Sequence, residues 1–160
     1  MIPEEATKLI GNADPPRVFE VEKGAIKKYA DAVGDRNPLY WDEEYARKSR
    51  YGSIIAPPGF AGWPVKWTEA MPFITSGGIM DALTEIMTKD GHPFILDGGA
   101  ELEFKFPVRA GDILVSSGKF ANIRERDSKG TKMFFCTWEI DIINQNGDVV
   151  LRTLQTMIFR

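Results

Sequence analysis

The sequence predicts an α+β fold, in which helices fill the first half of the chain and an antiparallel sheet of about five strands fills the second. Two observations lead to this prediction. In the stretch EKGAIKKYADAVGD, apolar side chains recur at the helical period, as at Ile26, Ala30 and Val33. From Pro93 onward, apolar and polar residues alternate along stretches that are rich in β-branched and aromatic side chains.

The first half contains one short strand and several helices. RVFEV, at residues 17–21, predicts the strand. Gly34 is placed to end the following helix with a positive φ, and Asp42 to cap the start of the next one. After Pro57-Pro58 comes a segment that is apolar on most sides, which we expect to form a helix buried in the core. GGIMDALTEIMTKDG predicts a further amphipathic helix.

The second half predicts the rest of the sheet, with strands at residues 99–106, 113–125, 131–144 and 148–159. Asn146-Gly147, between the last two, predicts a hairpin with a two-residue turn. Apolar side chains share one face of the 131–144 strand and polar side chains the other, so one face should be packed and one wet. We expect the apolar face to pack against the helix after Pro58, within a single domain spanning residues 1–160.

Composition argues against several classes of function. A net charge of −3 is unsuited to a large nucleic-acid surface. No run approaches the length of a membrane span and no signal peptide is visible, so we expect a cytoplasmic protein that binds neither nucleic acid nor membrane. A single cysteine, Cys136, and a single histidine, His92, exclude an internal disulfide and metal sites built on several such ligands. We expect no metal and no cofactor.

The stretches YADAVGDRNPLYWDEEYARKSRYGSIIAPPGF and FKFPVRAGDILV resemble the MaoC-like dehydratases, in particular their N-type or FAS1-like branch. The resemblance runs from about Lys8 to Arg160 and implies the hot-dog fold, a long antiparallel sheet wrapped around a central helix. It implies reversible addition of water to an enoyl thioester on coenzyme A or an acyl carrier protein. It also implies pairing with a second hot-dog chain, as a homodimer or a heterodimer.

The resemblance assigns roles to four residues. In active (R)-specific hydratases the motif reads GD-x-NP-L-H, and the reaction needs a base, an acid and amide donors at the thioester oxygen. Carried onto this chain, the catalytic aspartate is Asp35, the motif asparagine is Asn37, and the oxyanion amide belongs to Gly59. The histidine is replaced by Tyr40, whose phenol is a poor base at neutral pH but donates a hydrogen bond.

Five further residues are candidates for substrate binding. Phe60, Trp63 and Trp67 are suited to lining an acyl tunnel, although such aromatics also serve as core or interface residues. Arg47 and Arg50 are suited to the phosphates of coenzyme A, although a solvated helix face is the simpler explanation of both.

Three hypotheses about function therefore stay open at this point. The first is an enoyl-CoA hydratase or 3-hydroxyacyl-thioester dehydratase with Asp35 as base. The second, indicated by Tyr40, is a non-catalytic subunit that shapes the acyl pocket of a partner chain supplying the catalytic aspartate and histidine. The third is an acyl-CoA thioesterase on the same fold.

Overall fold

The computed structural model describes residues 1–62, 78–128 and 130–160. Its strands form a single antiparallel sheet, and their bounds are β1 (Arg17–Glu20), β2 (Ile95–Phe104), β3 (Ile113–Ser128), β4 (Thr131–Ile143) and β5 (Val149–Phe159). The order across the sheet is β1-β3-β4-β5-β2, so β1 and β2 form its two edges. The predicted five-stranded antiparallel sheet is confirmed.

The described helices are α1 (Glu4–Lys8), α2 (Lys23–Ala32), α3 (Glu43–Lys48) and α4 (Ile79–Lys89), with 3₁₀ turns at Pro38–Tyr40 and Phe60–Gly62. Asp42 caps α3 as predicted, because its Oδ1 accepts the amides of Glu44 and Tyr45 at 2.9 and 3.0 Å. The helix expected after Pro58 falls mostly on residues 63–77, which lie outside the described residues.

The core joins α4 to the inner face of the sheet. α4 is the predicted helix of GGIMDALTEIMTKDG, and its Leu83 and Met87 are fully buried. Burying a side chain of this size stabilises the fold by about 1.5–3 kcal/mol. The apolar face predicted for β4 is buried as well, and its members are Phe134, Cys136, Trp138, Ile140 and Ile142. All of these side chains belong to one hydrophobic cluster.

The bounds of β2, the end of β3 and the length of the β4–β5 loop differ from the prediction, and β3 runs to Ser128 rather than to residue 125. β2 begins at Ile95 rather than at residue 99, because a β-bulge between Asp97 and Gly99 shifts the register and breaks the alternation that the sequence pattern relied on. The β4–β5 hairpin is confirmed, but its loop is longer than two residues. The amide of Asn144 bonds to the carbonyl of Asp148 at 2.9 Å, which leaves residues 145–147 in the loop.

The inner face of the sheet continues onto β2, but there it is uncovered. Leu102 and Phe104 lie opposite Thr153 and Leu151 of β5, so they share the face on which both of those residues are buried. All ten residues of β2 are nevertheless exposed. The apolar surface of the sheet therefore extends beyond the part that the described residues cover.

Candidate active site

The turn between α2 and α3 holds Asp35 in a defined place. The chain leaves α2 through Gly34, at a φ of 71°, and the amide of Asp35 donates back to the carbonyl of Ala30 at 2.9 Å. Oδ1 of Asp35 accepts the amide of Asn37 at 3.0 Å, and the indole of Trp41 donates to the Asp35 carbonyl at 3.0 Å. The half-buried carboxylate is therefore anchored through one of its two oxygens.

The same turn carries Tyr40 into the interior. Oδ1 of Asn37 accepts the amide of Leu39 at 3.1 Å and so caps the 3₁₀ turn that contains Tyr40. Tyr40 is buried, and that burial is the main cause that raises the pKa of its phenol. The charge of Asp35 and the nearby Tyr51 raise the pKa further. The phenol therefore stays protonated at neutral pH, as a hydrogen-bond donor rather than a base.

A second turn, Pro57-Pro58-Gly59-Phe60, faces the first. The amide of Phe60 donates to the carbonyl of Pro57 at 3.1 Å, and Gly59 has a φ of 90°, which together form a type II turn. Glycine is favoured at position 59, because a side chain is strained at this φ and an added Cβ would lie 2.6 Å from the hydroxyl of Tyr29. The sequence of this turn thus fixes where the Gly59 amide lies.

A cavity of about 380 Å³ lies between these turns, the end of β2 and the start of β5. It brings together four of the predicted site residues, Asn37, Tyr40, Arg50 and Gly59. The rest of its wall is mostly apolar, with Phe104, Phe106 and Leu151 among its members. Such a lining suits an acyl chain better than a charged ligand.

Asp35 does not line this cavity. Its link to the cavity is Tyr40, whose hydroxyl lies close enough for the charge of Asp35 to raise its pKa.

Two cavity residues, Tyr51 and Lys105, were not among the residues predicted from the sequence. The Arg50 guanidinium lies 4.8 Å over the ring of Tyr51 and donates to its hydroxyl at 2.6 Å, so the pair forms a polar corner of the cavity. Lys105 is a second cation on the wall. Signals for both were present, because Tyr51 directly follows Arg50 and Lys105 interrupts the apolar run FKFPV.

Two other predicted binding residues, Arg47 and Phe60, do not line the cavity. Arg47 lies in a separate depression beside Lys23 and Glu43. Phe60 is buried in the core, where its ring meets that of Tyr29 edge-on with 5.7 Å between centroids. Trp63 and Trp67 lie outside the described residues.

Neither a metal site nor a membrane span is found in the part of the chain that the structure describes. Across residues 1–62, 78–128 and 130–160, no three histidine, cysteine, aspartate or glutamate side chains gather in a way that holds a metal ion. None of the helices in those ranges has the length and apolar character needed to cross a bilayer.

Comparison with known proteins identifies the family to which the chain belongs. The family model for the FAS1-like dehydratase domain region matches residues 8–153. A probable enoyl-CoA hydratase alpha subunit of Thermomonospora curvata is 31% identical over 130 residues, which cover 78% of this chain and 40% of that protein.

Two solved structures have a similar fold. The ChsH1–ChsH2 complex of Mycobacterium tuberculosis aligns with a TM-score of 0.82 at 17% identity, over 97% of this chain and 93% of that one. A MaoC-like dehydratase of Rhodospirillum rubrum aligns with a TM-score of 0.61 at 28% identity, over 94% and 92% of the two chains. The chain has the hot-dog fold and belongs to the FAS1-like dehydratase domain family of MaoC-like proteins.

Proposed function

We propose that this chain catalyses the reversible addition of water to the double bond of an enoyl thioester, carried on coenzyme A or an acyl carrier protein. The observation that carries the proposal is the convergence of Asn37, Tyr40 and Gly59 on one mostly apolar cavity. Family membership supports it, as does the similarity to a probable enoyl-CoA hydratase alpha subunit.

The acid and the base are assigned to the first turn. Asp35 is assigned as the base and reaches the substrate through an intervening water, because it lies beside Tyr40 but not on the cavity wall. Its Oδ1 is held by the Asn37 amide, and its Oδ2 has no hydrogen-bond donor among the described residues. Tyr40 is the donor, because its raised pKa keeps the phenol protonated near neutral pH. The charge of Asp35 raises the pKa of this phenol, so the protonation state of either group affects the proton affinity of the other.

The second turn is assigned to the thioester oxygen. When water adds to the enoyl group, negative charge develops on this oxygen, and backbone amides stabilise it best when they are fixed in advance. The oxyanion role of the Gly59 amide is supported by the type II turn, which fixes the orientation of this amide, and by the position of Gly59 in the cavity lining. The apolar wall near Phe104 and Leu151 takes the acyl chain, and Arg50 and Lys105 suit the phosphates of the thiol carrier.

The active assembly is proposed to be a pair of hot-dog chains. Support comes from the exposed apolar face of β2, and from the similar fold of a chain in the ChsH1–ChsH2 complex. An uncovered sheet edge with apolar side chains is unfavourable in water and is normally covered.

Turnover by the purified chain alone tests the proposal. We expect the absorbance of enoyl-CoA substrates of short and medium chain length to fall, and Asp35→Asn to lower kcat by roughly 10²–10⁴-fold, the usual contribution of a general base. Asp31→Asn is the matched control, since Asp31 is an exposed residue near the end of α2 that pairs with Arg36 at 3.1 Å. Absence of turnover at every chain length, or equal activity of both variants, would reject the proposal.

A further inference from the structure

Tyr29 occupies the space that a side chain at position 59 would fill. Its hydroxyl lies 2.6 Å from the place of a Cβ added to Gly59, and Cζ, the ring atom that bears the hydroxyl, lies 3.8 Å from it. The ring of Tyr29 also meets the ring of Phe60 edge-on, with 5.7 Å between the centroids. One side chain therefore packs against two consecutive residues of the turn that carries the Gly59 amide.

The bonds of this turn fix its shape more firmly than its place. The hydrogen bond from the Phe60 amide to the Pro57 carbonyl, at 3.1 Å, lies within the turn and sets only its shape. Gly59 has no side chain to anchor it, and its amide donates to none of the described residues. Phe60 anchors the turn in the core, and it does so against the same phenol ring. The place of the Gly59 amide relative to α2 thus depends on Tyr29.

The helix that carries Tyr29 also leads to the proposed base. Tyr29 lies in the last turn of α2, and its carbonyl accepts the amide of Val33 at 3.0 Å. The carbonyl of the next residue, Ala30, accepts the amide of Asp35 at 2.9 Å. Backbone hydrogen bonds of this kind hold a helix end as one unit. The phenol that packs against Gly59 and the backbone of Asp35 are therefore fixed to the same helix end.

We propose that Tyr29 is a positioning residue, which sets the distance between the Gly59 amide and Asp35. This role rests on the proposed function, in which that amide binds the thioester oxygen and Asp35 is the base. Tyr29 is not itself a catalytic residue, because it does not line the cavity. Burial raises the pKa of its phenol, so Tyr29 stays neutral near neutral pH and adds no charge beside the amide.

The hydroxyl oxygen is the part of Tyr29 that this role needs. Phenylalanine would leave a gap beside Gly59, and packed groups shift toward a gap because a void forfeits their dispersion contacts. A shift on the order of 1 Å in a catalytic group can slow a reaction by about 10²-fold. The rate should suffer more than substrate binding, because an oxyanion donor acts mainly in the transition state.

Enoyl-CoA kinetics of Tyr29→Phe test the proposal. We expect kcat to fall by about 10–100-fold while KM changes by less than about twofold. The pH dependence of kcat should keep its shape, because a positioning residue takes no part in proton transfer. Tyr45→Phe is the matched control, since Tyr45 is an exposed tyrosine on α3 and its variant should keep the kcat of the parent.

A compensating substitution separates positioning from a general loss of stability. Without the hydroxyl, a Cβ at position 59 would have its nearest neighbour at 3.8 Å, an ordinary van der Waals distance. We expect Tyr29→Phe/Gly59→Ala to keep at least about tenfold more kcat than the product of the two single losses allows, since only coupled sites depart from multiplication. The strain of a positive φ at position 59 persists, so the recovery should be partial.

Tyr29→Phe/Gly24→Ala is the control for this recovery. Gly24 lies on the same helix, and a Cβ added there meets nothing within 4 Å. Its kcat should therefore equal that of Tyr29→Phe alone. Urea denaturation of the same proteins gives a second measurement, made without substrate. Gly59→Ala should lower the urea midpoint less in the Tyr29→Phe background than in the parent.

Three outcomes would overturn the proposal in a parent protein that turns over enoyl thioesters. They are a kcat of Tyr29→Phe within about twofold of the parent, single losses that multiply in Tyr29→Phe/Gly59→Ala, and equal effects of Gly59→Ala on the urea midpoint in both backgrounds. Each of these leaves the proposed function standing. A parent that turns over no enoyl thioester would reject the proposed function and, with it, the role of Tyr29 in the reaction.

Discussion

The inner face of the sheet is covered over β4 and bare over β2, although both strands show apolar side chains alternating with polar ones. Phe134 of β4 is fully buried, whereas Phe104 of β2 is 48% exposed. The difference does not lie in residue type, since both are phenylalanines on the apolar face of their strands. It lies in sheet order, because β4 is central and β2 is an edge. Alternation thus identifies which face is apolar, while position in the sheet decides what covers it.

The largest expected difference between the two regions is in stability. Phe134→Ala should lower the free energy of unfolding by about 3–5 kcal/mol, since it removes a fully buried aromatic and leaves a cavity. The loss should not depend on protein concentration, because the contacts lie within one chain. The measurement is urea denaturation followed by tryptophan fluorescence or circular dichroism.

Phe104→Ala is the matched variant on the bare face. If a second chain covers Phe104, the loss should appear as a midpoint that falls on dilution, because stability gained by association depends on concentration. A concentration-independent loss as large as that of Phe134→Ala would contradict the distinction between the covered and the bare face.

The strands of this fold were predictable from sequence, but the site was predictable only in part. Alternation located β4 because no bulge interrupts its buried face, whereas the bulge before Gly99 hid the first residues of β2. The resemblance pointed to Asn37 and Gly59, because tight turns depend on particular residue types. It did not reveal that Arg47 lines a separate depression, since the surroundings of a helix side chain are set by tertiary packing.

Gly59 lies where the covered region meets the bare one, on the cavity wall opposite the end of β2. Gly59→Ala should lower the free energy of unfolding by about 1–3 kcal/mol, because it forces a side chain into a positive-φ conformation. It should also lower activity, because the added Cβ displaces the Tyr29 hydroxyl, 2.6 Å away, or moves the turn. Urea denaturation and the enoyl-CoA assay measure the two effects.

Gly24→Ala is the control for this substitution. Gly24 lies in α2, and a Cβ added there meets nothing within 4 Å. We expect a gain of up to about 1 kcal/mol, since alanine has the higher helix propensity. A Gly59→Ala protein as stable and active as the parent would show that the turn tolerates a side chain, and would remove the argument for a fixed amide at this position.

The smallest expected effect concerns the helix that contributes to the covered core. α4 begins at Ile79, whose amide donates to Oδ1 of Asp14 at 3.0 Å, so a residue far away in sequence caps the helix. Asp14→Ala should lower the free energy of unfolding by about 1 kcal/mol, the usual value of an N-cap, and Asp14→Asn should recover most of it. Because Leu83 and Met87 of α4 are buried, the cap supports the covered core. Urea denaturation measures both variants, and an Asp14→Ala protein as stable as the parent would show that this cap contributes nothing to the covered core.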